Sequence, residues 1–409
     1  MRAEELRREA AEIKANILGK RTYLHAHAET GFALEHTLAY VKTGLKKLGY
    51  ATTLCGKAGL VALAGGKRAG RTFLLRADMD ALPIREQSNV DFSSENGNMH
   101  ACGHDMHTAM LLGAAELLKK HEDEICGTVK LMFQPAEELF EGAADMIRAG
   151  VLENPQVDAA LMLHVMAGMP FDTGTIIVSD AGVSAPAADY FEIRVRGKGC
   201  HGSMPNLGID SLTAAAHILI ALQEIQAREL AMNDRAVLTV GTMHAGTAAN
   251  AIPDEAVMGG SLRTFDENVR ETVKQRISDI AASIAKAFRA EAEVVFGSGC
   301  PTLKNDGELS AAAYRYGKEL LGANQIFTVA QLKAGSDDTG ASKSTGSEDF
   351  AYVSQKVPSV MLALAAGQPE KGYIYPQHHP MVKFDNDALD IGSAVYAYIA
   401  MRWLEEHGK

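Results

Sequence analysis

The chain has 409 residues, a formal net charge of −11, 47% apolar and 22% charged residues. That length exceeds one compact core, so two or three domains of about 150 residues each are expected, and the balance is that of a globular protein without low-complexity tracts. The negative charge argues against nucleic acid and anionic membrane as main partners, and no apolar stretch has the length of a membrane helix.

Residues 1–20 mix Glu, Arg and Lys with Leu6, Ala10, Ile13 and Ile17 at helical spacing, which predicts an amphipathic surface helix and no signal peptide. The five cysteines, Cys55, Cys102, Cys126, Cys200 and Cys300, are odd in number and scattered. Reduced thiols and a cytoplasmic location are expected. Residues 71–76 (RTFLLR) read as a short buried strand, and Asp78 and Asp80 leave its end together before Pro83 stops the turn.

The densest chemistry lies at His100-Ala101-Cys102-Gly103-His104-Asp105-Met106-His107, followed by the pair Glu137-Glu138. A free Cys or a lone His is often a core residue, but Cys, His, Asp and Glu concentrated together mark a metal or catalytic site. Imidazole and thiolate suit zinc and its neighbours and carboxylate suits harder ions, so this set leaves the metal open. Asp105 is expected to cap a helix that buries Met106, Ala109, Met110, Gly113, Ala114 and Leu117 on one face. Residues 128–133 (TVKLMF) form a second strand, ending near Glu137 and Glu138, and residues 159–163 (AALML) a third, ending at His164. Three strands releasing ligand-type residues at their carboxyl ends, alternating with helices, predict an α/β fold with a mixed or parallel central sheet flanked by helices.

From about Ala185 the pattern changes. Phe191, Ile193 and Val195 alternate with charges, as in a sheet with one wet face. A helix over 211–230, strands near 236–240 and 257–265, a helix with Val269, Val273, Ile277, Ile280, Ile284 and Phe288 on one face, and a strand at 293–296 complete a two-layer α+β domain. The expected division is a catalytic domain at 1–185 and 298–409, interrupted by an inserted domain at 186–297. The first pattern resumes with a helix near 308–321, a strand at 359–365 and a helix at 387–405, and His378-His379-Pro380 lies in the loop before the last.

These motifs resemble the metal-dependent aminoacylase and glutamate-carboxypeptidase family, in particular its branch of hippurate and auxin-conjugate hydrolases. The resemblance covers nearly the whole chain and rests on eight stretches in order: RADMDALP at 76–83, HACGHDMH at 100–107, QPAEE at 134–138, His164, GCHGSMP at 199–205, NAIP at 250–253, GSEDF at 346–350 and HHP at 378–380. It implies a dinuclear metal centre in the catalytic domain and an inserted lid and dimerisation domain. It further implies Cys102, His104, Glu138, His164 and His378 as metal ligands, with Cys102 bridging, and Glu137 as general base. Asp80 would orient a metal-binding imidazole, and His201 would steady the oxyanion, often across a dimer interface. Asn250 and Arg263 would contact substrate, although an arginine on a strand is as readily a surface charge. Family spacing favours His378 over its neighbour His379.

The implied reaction is hydrolysis of the amide of an N-acyl amino acid (N-acetyl, N-benzoyl or related) by a homodimer holding two divalent ions per subunit, zinc, manganese, cobalt or nickel. Departures at Ala28-Glu29-Thr30-Gly31, Cys200 and Met166-Ala167-Gly168 fall at the expected pocket rim and leave the substrate side chain open. Three other readings stand: a carboxypeptidase or dipeptidase with the same metals, a thiol hydrolase using Cys102 with His104 or His107, and a metabolite-binding protein without turnover.

Overall fold

The structure is a computed structural model that describes residues 2–334 and 346–408. The described residues fall into two compact units, one of residues 2–184, 304–334 and 349–408, the other of residues 185–303 and 346–348. Each has its own apolar core. The architecture is α/β, a mixed central sheet with flanking helices, interrupted in sequence by a two-layer α+β domain.

In the first unit eight strands form one sheet: β1 (Thr52–Cys55), β2 (Gly59–Gly65), β3 (Thr72–Asp78), β4 (Thr128–Gln134), β5 (Ala159–Met166), β6 (Ile176–Val178), β7 (Ile326–Thr328) and β8 (Ser359–Ala365). Their spatial order is β1-β2-β4-β3-β5-β8-β6-β7. The centre, β4-β3-β5-β8, is parallel, whereas β1, β2 and β6 pair antiparallel with a neighbour. β3 is buried at every position, as a parallel strand covered on both faces should be. Lys130 interrupts the apolar run of β4 without harm, because its ammonium donates to the carbonyls of Val151, Glu153 and Pro155 at 2.7–2.9 Å. Helices His104–Lys120 and Leu389–His407 pack on each other and on the sheet, and Lys14–Ala26 packs on both of them.

Several local expectations need correction. The amphipathic N-terminal run is two helices, Ala3–Glu12 and Lys14–Ala26, broken at Ile13. Asp105 does not cap its helix: the N-cap is Gly103, and Asp105 lies in the first turn with its carboxylate turned to Arg21 and His25. That helix is buried on nearly every face, since it is packed between the sheet and two other helices. His164 lies within β5, which runs on to Met166.

In the second unit, strands Ala236–Ala245, Glu255–Thr264, Ala187–Arg196 and Glu291–Cys300 pair antiparallel in that order. Helices Ser211–Glu224 and Glu267–Ala287 bury Ile218, Leu222, Val273 and Ile277 against Phe191, Ile193 and Val195. Asp210 and Asp266 cap those helices by accepting from first-turn amides. Among the described residues no helix is long and apolar enough to cross a membrane.

Candidate metal centre

The stretch 100–107 enters the site by a turn at Gly103, where φ is +87°. A Cβ there would lie 2.4 Å from a Val165 methyl and 3.2 Å from the Phe384 ring. Glycine therefore fixes the turn between Cys102 and His104 on two grounds, conformation and space.

The tautomers of two histidines follow from their partners. His104 Nδ1 lies 2.8 Å from the Asp80 carbonyl oxygen, and His164 Nδ1 lies 2.7 Å from the Val165 carbonyl oxygen. A carbonyl only accepts, so each Nδ1 carries a ring proton, and the neutral ring presents its lone pair at Nε2. His164 Nε2 stands 3.5 Å from Cys102 Sγ. His104 Nε2 is buried without a hydrogen-bond partner and stands 4.0 Å from both Glu137 and Glu138. Glu138 Oε1 likewise has no hydrogen bond and stands 3.4 Å from His378 Nε2.

Two donor trios result, Cys102–His104–His164 and Cys102–Glu138–His378, each with its ligand atoms within 4.8 Å of one another, and they share the thiol. The structure thus brings all five expected ligands together. Buried lone pairs facing one another without donors are costly unless a cation lies between them, so this sulfur, imidazole and carboxylate set fits first-row divalent ions.

The electrostatics show that the thiolate and carboxylates of this cluster favour positive charge among them, a proton or a cation alike. Burial opposes the Cys102 thiolate, but His164 and His104 outweigh it and bring the thiol down to about 6. Burial also opposes a charged His104, yet Asp78 and Cys102 push its imidazole well up. Cys102 and Glu138 raise His378 to about 10.

Asp80 holds Glu137 and Glu138 by their backbones. Its Oδ1 accepts from the Glu137 amide at 2.9 Å and its Oδ2 from the Glu138 amide at 3.2 Å. It orients His104 through its carbonyl, not its carboxylate, whose nearer oxygen is 3.7 Å from Nδ1. Ala136 and His378 both adopt positive φ, 52° and 66°. Strain of this kind costs about 1–3 kcal/mol and gathers at functional sites; here it aims Glu137 and His378.

Behind His104, Asp105 anchors a buried charge network. Asp105 Oδ2 takes Arg21 Nε and His25 Nδ1, both at 2.9 Å, and His25 Nε2 reaches Glu86 at 3.0 Å. Burial disfavours a charged His25, but Asp105 and then Glu86 prevail and raise it to about 9. A raised histidine stabilises the fold fully below its unfolded value of 6.5 and loses that contribution as pH climbs through 9. The stability difference between wild type and His25→Gln is therefore expected to shrink by up to about 3 kcal/mol from pH 6.5 to above 9 in urea titrations; a difference constant with pH refutes the charged form.

The remaining expected residues lie in the second unit. Ala251 pairs with His201, and the Asn250 carbonyl accepts from the Gly202 amide at 2.7 Å, which brings Asn250 beside His201. His201 Nδ1 takes the Ser203 amide at 3.2 Å and faces the Ser203 hydroxyl at 2.7 Å. The amide can only donate, so Nδ1 accepts and Nε2 keeps the proton. Arg263 donates to Ser347 Oγ at 2.5 Å and to the Tyr190 hydroxyl at 3.3 Å. Sequence reasoning left Ser203 unassigned, although its two-residue spacing from His201 carries that signal.

A model of the peptidase family M20/M25/M40 matches residues 74–402. The N-acetylcysteine deacetylase of Bacillus subtilis is 35% identical over 95% of this chain and 97% of its own length. The thermostable carboxypeptidase 1 of Saccharolobus solfataricus is 34% identical over 98% of both. Among solved structures, a dinuclear metal-binding peptidase of the M20 family from Bacillus subtilis superposes with a TM-score of 0.76 at 32% identity, covering 97% of this chain and 99% of that one. With residues 74–402 matched by the family model and 95% of the chain aligned to a relative at 35% identity, the chain belongs to peptidase family M20/M25/M40.

Proposed function

We propose that this chain is a dinuclear metal-dependent amidohydrolase that cleaves N-acyl amino acids to a carboxylate and a free amino acid. The observation that carries the reading is the pair of trios sharing Cys102, with the carboxylate of Glu137 beside both. Cys102, His104 and His164 would hold one ion, and Cys102, Glu138 and His378 the other. When bound, the ions supply Lewis-acid polarisation of the amide carbonyl and acidify water.

Glu137 takes the proton of the attacking water as its oxygen bonds to the carbonyl carbon. It returns that proton to the nitrogen as the C–N bond breaks, so the amine leaves neutral. His201 Nε2–H is assigned as the donor to the tetrahedral oxyanion, a contribution worth about 10²–10³ in rate. Asn250 and Arg263 are assigned to substrate, Arg263 to a free carboxylate. This division leaves Cys102 no part as a nucleophile, since its thiol is committed to both trios.

A second copy of the chain is assigned to the edge strand Ala236–Ala245, which exposes Val237. An uncovered edge strand is a template for pairing. A cytoplasmic location is assigned on the odd number and scattered spacing of Cys55, Cys102, Cys126, Cys200 and Cys300.

The test is to strip the protein with chelator, reload it with manganese, zinc, cobalt or nickel, and measure amine released from N-acetyl and N-benzoyl amino acids and short peptides. Metal-dependent release from the N-acyl set is expected. Release confined to peptides would make the enzyme a carboxypeptidase or dipeptidase, and release indifferent to chelator would restore the thiol mechanism.

A further inference from the structure

The third imidazole of the stretch 100–107 has both ring nitrogens engaged inside the protein. His107 Nδ1 lies 2.6 Å from Asp78 Oδ1, and its Nε2 accepts from the Val165 amide at 2.8 Å. An amide only donates, so Nδ1 carries the proton and donates to Asp78. The other Asp78 oxygen takes Arg76 Nη1 at 2.7 Å. Asp78, His104 and His107 are close enough to suggest a third metal-binding trio, but these bonds leave His107 no lone pair for an ion.

What His107 reaches are segments that carry ligands. It lies one turn after His104 on the same helix. It meets the end of β3 through Asp78 and β5 through Val165, the residue after His164. Its ring packs edge-to-face on His164, with centroids 4.7 Å apart, and tilted on His104 at 5.3 Å. Glu138 and His378 meet each other instead, at 3.4 Å.

We propose that His107 is a positioning residue for one metal position only, the trio Cys102–His104–His164. It holds His164 by the Val165 amide and by ring contact, while the trio Cys102–Glu138–His378 is independent of it. This rests on the dinuclear reading above. Partners of this kind typically change metal affinity by about 10–100-fold when removed.

The test uses full-length, chelator-stripped protein titrated with cobalt(II), followed by calorimetry and by visible absorption. Wild type is expected to take two ions; uptake of one would overturn the dinuclear reading itself. His107→Asn can still donate to Asp78 but offers Val165 no acceptor, and is expected to bind one ion as wild type does and the other about 10–100-fold more weakly. His107→Gln can place an amide oxygen where Nε2 lay, and is expected to recover most of that loss. The pair of variants also guards against misfolding, with far-UV circular dichroism confirming each. Equal weakening of both ions, or none at either, overturns the assignment to a single position.

Discussion

Glu137→Gln is expected to lower kcat by about 10²–10⁴-fold while the protein still takes up two metal ions. The substitution keeps the shape and volume of a residue that is 5% exposed and removes only the capacity to accept a proton. Its backbone amide remains pinned by Asp80, and the left-handed Ala136 before it still sets the direction of the side chain. The expected split is a fall in kcat with KM little changed, because the base acts in the transition state and not in substrate binding. Glu138→Gln is the counterpart: its unpartnered Oε1 is a ligand atom of the second trio, so the main loss there should be metal content. Activity of Glu137→Gln within tenfold of wild type would remove Glu137 from the role of base.

The sequence made the site legible where chemistry is local. Cys102 and His104, the carboxylates after β3, and Glu137-Glu138 after β4 stand out because strands of an α/β sheet release functional residues at their ends. Backbone turns were less legible. Asp105 looks like a helix cap by residue type, yet the positive φ of Gly103 starts the helix two residues earlier and turns Asp105 into the core. The short strands β1, β6 and β7 carry too little pattern to be told from loops, and are set by the neighbours they pair with. Partners distant in sequence were not legible: nothing in the run 71–76 announces that Arg76 meets Asp349, 273 positions away. The three imidazoles of the stretch 100–107 look equivalent in sequence, and only their hydrogen bonds separate them. His104 presents a lone pair, His107 has none to give, and both His100 nitrogens are buried with no hydrogen-bond partner.

Arg76→Met is expected to destabilise the protein by about 3–5 kcal/mol, the range found when one partner of a buried ion pair is removed. Arg76 is 1% exposed, and its guanidinium meets Asp78 at 2.7 Å, Asp349 at 2.9 Å and the side-chain oxygen Oε1 of Gln134 at 2.9 Å. Burial alone would favour neutral carboxyls here, but Arg76, followed by His104 and His107, holds Asp78 well below the usual carboxylate range. Methionine fills much of the volume and leaves two fully buried carboxylates without their countercharge. Asp349 keeps the Ala143 amide and the Gln134 amide as donors, and Asp78 keeps His107, so the cost should fall short of unfolding the chain outright. Lysine should not rescue it, because one ammonium cannot reproduce three divergent N–H directions. Adding Asp349→Asn to Arg76→Met removes one stranded charge and keeps the amide-sized group, and should recover part of the loss. Urea denaturation of the single and double variants measures both effects, and an Arg76→Met protein within 1 kcal/mol of wild type would show that these carboxylates do not depend on the guanidinium for their charge.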